Sequence, residues 1–107
     1  MDFEFVKIVV YVPATHADEI RNVLAESGAG YIGNYDYCSF SVKGIGRFRP
    51  QNGATPFIGE IGAVEAVDEE RIETVCPKNN LEQVLATVKM AHPYEEPAID
   101  VYPLLQI

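Results

Sequence analysis

The chain has 107 residues, 48% of them apolar and 22% charged, with a formal charge of −8. That length holds one hydrophobic core, and the composition is that of a folded domain, which excludes a disordered tail. With 8 Lys and Arg against 16 Asp and Glu the chain lacks the basic footprint of a general nucleic-acid binder, and no apolar run is long enough to span a bilayer.

The opening MDFEFVK has no long apolar stretch behind a basic start, and the two cysteines, Cys38 and Cys76, form no CxxC pair. A soluble, reduced, cytoplasmic protein is expected, with both thiols serving as small core hydrophobes.

Residues 5–12 (FVKIVVYV) are β-branched and aromatic with one charge, which predicts a strand buried on both faces and central in a sheet. Pro13 ends it. Thr15 followed by Asp18 reads as a capping box, and Ile20, Val23 and Leu24 recur at helical spacing behind it. Gly28 suits the left-handed position that closes a helix. After a turn over 30–34, residues 35–42 (YDYCSFSV) predict a second strand, with Cys38, Phe40 and Val42 on its inward face.

Residues 43–62 (KGIGRFRPQNGATPFIGEIG) hold five of the eight glycines, two of the seven prolines and the pair Arg47 and Arg49. They read as a long glycine-rich connection between two similar halves of a single domain spanning 1–107. Within it, 56–61 could form a short extended piece. Residues 71–76 (RIETVC) predict the third strand, with Ile72, Thr74 and Cys76 on one face. Pro77 repeats Pro13, and Asn79 with Glu82 repeats Thr15 with Asp18. Leu81, Val84, Leu85 and Val88 then mark a second helix at i, i+3, i+4, i+7 spacing. Pro93 stops that helix and biases His92 toward extended backbone. Residues 98–104 (AIDVYPL) predict a last strand, with Pro103 at an exposed end or edge.

Strand, helix, strand, connection, strand, helix, strand implies an α+β fold: a ferredoxin-like split βαβ, with both helices on one face of a four-stranded antiparallel sheet. The other face is left bare, carrying Tyr11, Tyr35, Tyr37 or Tyr102 among others, and a bare aromatic face favours self-association.

Three segments carry a resemblance: GAGYIGNYDYCSF (28–40), GIGRFRPQNGATPFIGEIGAVE (44–65) and AHPYEEPAIDVYPL (91–104). Together they resemble the domain inserted in the middle of YqfO-type members of the Nif-three-like family, here as a free-standing protein. That insert is similar in fold to the PII nitrogen-regulatory proteins and to the CutA proteins, which are ferredoxin-like and usually trimeric. The HPYEEP run also resembles a motif near the C-terminus of CutA proteins. The resemblance implies a PII/CutA-like homo-oligomer, a trimer in preference to a dimer. The enclosing Nif-three-like domains bear a two-metal site of several His, Asp and Glu residues. This chain has only His16 and His92, so the hydrolase or GTP cyclohydrolase-like activity of those domains is not carried over.

Two stretches could carry binding chemistry. Gly44, Gly46, Arg47, Phe48 and Arg49, with Tyr94, could cradle a small anion through exposed backbone N–H groups and guanidinium forks. The same glycine-rich stretch could instead be an arm folded over the sheet or a neighbouring subunit. His92, Glu95 and Glu96 could ligate a divalent metal such as copper or zinc, an association the CutA likeness implies. Against this, His92 could simply cap the helix, with the glutamates solvated. No nucleophile elbow is present, and Cys38 is expected to face inward, so no catalytic residue is assigned. The expected function is a non-catalytic binding or regulatory module whose partners are copies of itself and a small anion or another protein. A metal-binding protein and a Nif-three-like hydrolase are the alternatives.

Overall fold

Six elements follow one another in the computed structural model, which describes residues 3–105: β1 (Phe5–Pro13), α1 (Ala17–Ser27), β2 (Phe40–Phe48), β3 (Glu65–Pro77), α2 (Leu81–Ala91) and β4 (Ile99–Leu104). The strands form one sheet in the order β2-β3-β1-β4, and every neighbouring pair is antiparallel. This is the expected split βαβ arrangement. β1, the most apolar strand, occupies the centre, where both its edges are paired.

Alternation along the strands builds the core. Val6, Ile8, Val10 and Val12 of β1 point to the same side as Ile72 and Cys76 of β3, and all six are buried. Ile20 and Leu24 of α1 and Val84 and Val88 of α2 close over them from that side. Each such fully buried aliphatic side chain stabilises the fold by about 1.5–3 kcal/mol relative to exposure. The helical faces read from periodicity are thus the packed ones, with Val23, Leu81 and Leu85 at their margins.

The two halves match at the helix entrances. Pro13 and Pro77 have nearly the same backbone angles (φ −52°, ψ 139° and φ −58°, ψ 135°), and each leads into a three-residue 3₁₀ turn. Those turns displace the helix starts, so the expected capping boxes do not form. His16 and Asn80 are the N-caps, neither makes a side-chain capping bond, and Thr15 Oγ1 instead pairs with His16 Nδ1 at 2.8 Å. Asp18 and Glu19 in the first turn of α1, and Glu82 in that of α2, still complement the helix dipoles. Gly28, at φ 126°, closes α1, and His92 leaves α2 in extended conformation, both as expected.

β2 is the main departure from expectation. It runs over Phe40–Phe48 and not over 35–42, so the first part of the glycine-rich stretch is strand, and the irregular connection starts only at Arg49. Residues 35–39 are held outside the strand: Cys38 N–H donates to Gly30 O, and Gly30 N–H to Val75 O. The facing is also reversed. Phe40 is opposite Glu73 and Val42 opposite Arg71, so Phe40 and Val42 lie on the open side and are exposed, whereas Ser41, opposite the buried Ile72, faces the helices. Arg21 of α1 reaches that buried side, bonding Ser41 Oγ at 3.0 Å and Glu70 Oε1 at 2.7 Å. Of the tyrosines assigned to the bare face, Tyr11 and Tyr102 belong to sheet strands, and Tyr35 and Tyr37 lie in the loop before β2.

β3 begins six residues earlier than expected. Its pairing with β1 stops at Glu69, so Glu65–Asp68 pairs only with Ile45–Phe48. The β2–β3 hairpin therefore continues past the sheet as a two-stranded ribbon.

Candidate functional site: a cleft under the central loop

From the far end of that ribbon, where Phe48 pairs with Glu65, 49–64 folds back toward the start of α1 and the segment between α2 and β4. A cleft of about 680 Å³ lies beneath it, lined by Gly46, Arg47 and Phe48 of the ribbon, by loop residues including Arg49, Pro56 and Phe57, and by Tyr11, Glu69, Tyr94, Glu95 and Glu96. Two contacts hold the loop down. Glu95 accepts Thr55 N–H at 2.8 Å and Thr55 Oγ1 at 2.9 Å, and Phe57 meets His16 edge-on with ring centres 5.5 Å apart.

The wall of the cleft is organised by His92. It is 6% exposed and links β1 to the HPYEEP segment: Nε2 lies 2.7 Å from Tyr11 O, and Tyr94 N–H donates to Nδ1 at 3.1 Å. A carbonyl can only accept, so Nε2 carries the proton and the ring is neutral. Burial pushes its pKa below the ordinary histidine value, against the opposing effects of the Tyr11 carbonyl and Glu69. Tyr94, thus placed, packs edge-on against Phe48 and donates its hydroxyl to Glu69 Oε2 at 2.8 Å. Burial and then that carboxylate hold the Tyr94 phenol well above its ordinary pKa. Glu69 in turn lies over Gly46, where an added Cβ would collide with its carboxylate. A side chain there would force the Glu69 carboxylate to move away from Tyr94.

Of the residues expected to bind an anion, Gly46, Arg47, Phe48, Arg49 and Tyr94 line the cleft together. Gly44 does not: it sits two residues back on β2 with open space around it. Arg47 and Arg49 are exposed, and among the described residues neither is in an ion pair or side-chain hydrogen bond.

Two of the three residues expected to bind a metal, His92 and Glu95, are put to other uses. Both ring nitrogens of His92 are engaged and the Glu95 carboxylate holds Thr55, while Glu96 is an exposed part of the rim. Among the described residues no group of three or more His, Cys, Asp and Glu is arranged to hold a metal ion. Cys76 is buried, which raises its thiol pKa to about 11, and Cys38, expected to face inward, is half-buried with its thiol toward Asp36 O at 3.6 Å. Sequence reasoning missed Glu69 and Thr55. Glu69 lies in an acidic run with nothing to single it out, and Thr55 becomes relevant only once the loop is folded back.

The GTP cyclohydrolase 1 type 2 homolog of Halalkalibacterium halodurans is 52% identical to this chain over 98 residues, 92% of this chain and 26% of that protein. Its counterpart in Bacillus subtilis is 49% identical over 100 residues, 94% and 27% of the two chains. A Bacillus cereus protein related to NIF3 superposes with a TM-score of 0.82 at 49% identity, over 95% of this chain and 26% of that one. CutA of Archaeoglobus fulgidus, a periplasmic divalent cation tolerance protein, superposes at 0.69 with 20% identity, over 95% and 85%, which establishes a common fold. No family model matches the chain. The chain spans about a quarter of the length of the curated relatives it matches. It is a relative of one domain-sized segment of the NIF3-related proteins, built on the fold it has in common with CutA.

Proposed function

We infer that this protein is a homo-oligomeric binding or regulatory module that takes a small anionic ligand in the cleft and performs no catalysis of its own. The observation that carries the reading is the pair Arg47 and Arg49, unpartnered among the described residues, on the rim of a cleft with apolar walls. A guanidinium fork at an apolar wall favours a ligand carboxylate or phosphate over water. Of the three carboxylates that line the cleft, Glu69 is committed to Tyr94 and Glu95 to Thr55, while Glu96 is exposed on the rim; Arg47 and Arg49 are the cationic groups free to meet an incoming anion. A trimer is preferred to a dimer, and the bare sheet face supports self-association.

Native mass spectrometry of untagged protein, purified without chelators, tests the reading. An oligomer retaining one small anion per subunit, lost in Arg47→Ala and Arg49→Ala with the subunit number unchanged, is the expected result. Equal retention in both variants would remove the arginines from the site. A stoichiometric metal lost in His92→Ala would favour the metal-binding alternative, in which His92 must first give up Tyr94 N–H. Turnover of GTP by metal-loaded protein would revive the hydrolase reading.

A further inference from the structure

The longest run of exposed aromatic side chains lies between α1 and β2, remote from the cleft. Tyr31, Ile32, Tyr35 and Tyr37 are each more than half exposed, and Phe40, the first residue of β2, is 66% exposed. The tip is built: Ile32 and Tyr35 exchange N–H···O bonds of 2.9 Å in both directions around a tight turn. Tyr37, at φ 56°, is the one non-glycine residue with positive φ among the described residues. Backbone held in that region points to a purpose for the loop's shape.

The position of the loop suggests what covers it. Gly30 N–H bonds Val75 O, which fixes the loop at the end of the sheet where Phe5 stands opposite both Pro77 and Leu104. The described chain enters and leaves at that end, with Leu105 68% exposed. The cleft, with Tyr11, Glu69 and Ala98, is at the opposite end. In relatives about half identical to this chain, roughly three quarters of the protein lies outside the matched segment. Whichever side of the segment that chain lies on, it joins here.

We propose that the loop 31–37 with Phe40 is a docking surface for a protein body of the kind that makes up the rest of the NIF3-related chains. It serves whether that body is covalently continuous with this domain or a separate partner. Large, stiff tyrosines with a polar tip suit such a contact, since they bury much area at little conformational cost. The exposed Asp36, just past the tip, together with the tyrosine hydroxyls, calls for Lys, Arg or amide donors opposite.

The test is hydroxyl-radical footprinting of this chain alone and of a chimera in which it replaces the matching segment of the Bacillus cereus NIF3-related protein. Labelling of Tyr31, Tyr35 and Tyr37 is expected to fall at least about fivefold in the chimera, as for side chains at an interface core, with labelling of Tyr102 on the bare sheet face the same in both proteins. Equal labelling in the two proteins overturns the proposal. Protection already present in the chain alone, and lost on dilution, overturns it in favour of contact with a second copy. Should the chimera not fold, the intact Bacillus cereus protein is labelled instead: strong labelling of the residues aligned with 31–37 overturns the proposal, and protection supports it.

Discussion

Gly44 and Gly46 lie on the same face of β2, two residues apart, yet the surroundings of their missing side chains differ. A Cβ at Gly44 would have nothing within 4 Å, whereas one at Gly46 would strike the Glu69 carboxylate. Replacing glycine by alanine in a strand recovers about 0.5–1 kcal/mol of backbone entropy, so Gly44→Ala should be neutral or stabilise by that amount. Gly46→Ala makes the same gain but drives Glu69 off Tyr94. A hydrogen bond to a charged acceptor contributes about 1.5–3 kcal/mol, so the net expected loss is about 1–2 kcal/mol. For a chain of this size that is a fall in midpoint of roughly 4–10 °C. Urea unfolding of both variants measures the difference, with an unchanged slope showing that the denatured state is unaffected. Combining Gly46→Ala with Tyr94→Phe should cost little more than either change alone, because both remove one bond. Full additivity, or equal stability of the two glycine variants, would refute this account of the cleft wall.

His92 makes stability depend on pH with a definite sign. Its folded-state pKa lies below the ordinary value of 6.5, so the unfolded chain binds the extra proton first. The contribution is fully present above pH 6.5 and is lost as pH falls below it, with a slope of at most about 1.4 kcal/mol per pH unit until the folded-state pKa is reached. Urea unfolding between pH 5.5 and 7.5, beside an NMR titration of the two histidines, checks this. Titration of His92 at or above 6.5, or the same slope in His92→Asn, would contradict it. Thr55→Val removes the hydroxyl bond to Glu95 but leaves the backbone one. Amide exchange over 51–58 should accelerate by roughly three- to tenfold, as the loss of one hydrogen bond of about 1 kcal/mol implies, with exchange in β1 unchanged.

The elements with strong periodicity were legible in the sequence. β1 buries Val6, Ile8, Val10 and Val12 against the helices, but it is not buried on both faces as expected, because the helices cover only one side of the sheet and Phe5, Lys7 and Tyr11 on the other are half-exposed. Both helices bury the residues their patterns pick out, and the repeated proline before each helix marks a repeated entrance in the structure. β2 was not, for two physical reasons. YDYCSFSV has high strand propensity, yet its first half is drawn into a turn by hydrogen bonds to Gly30 and across to β3, contacts between residues far apart in sequence. KGIGRF reads as loop because of its glycines, yet it is strand because β3 offers it a partner along its whole length. With a side-chain period of two, the choice of register also decided that Phe40 and Val42 face outward. The cleft was half visible: its arginines and the HPYEEP segment stood out, while Glu69 and the folded-back loop needed the tertiary structure to bring them there.

The sheet order has a consequence for how the chain is made. β1 is synthesised first among the elements, but both its neighbours come late: β3 beyond residue 65 and β4 near residue 99. At 5–20 residues per second its nearest partner, Glu69 beside Pro13, follows by roughly 3–11 s. Throughout that interval the nascent chain carries an apolar strand with two unpaired edges, a template for aggregation. Among the described elements α1 is the early one able to shield it, and it follows at once, with Ile20 and Leu24 in the same buried cluster as Val10 and Val12. The first helix thus serves as a temporary cover for the central strand before it becomes one side of a finished core.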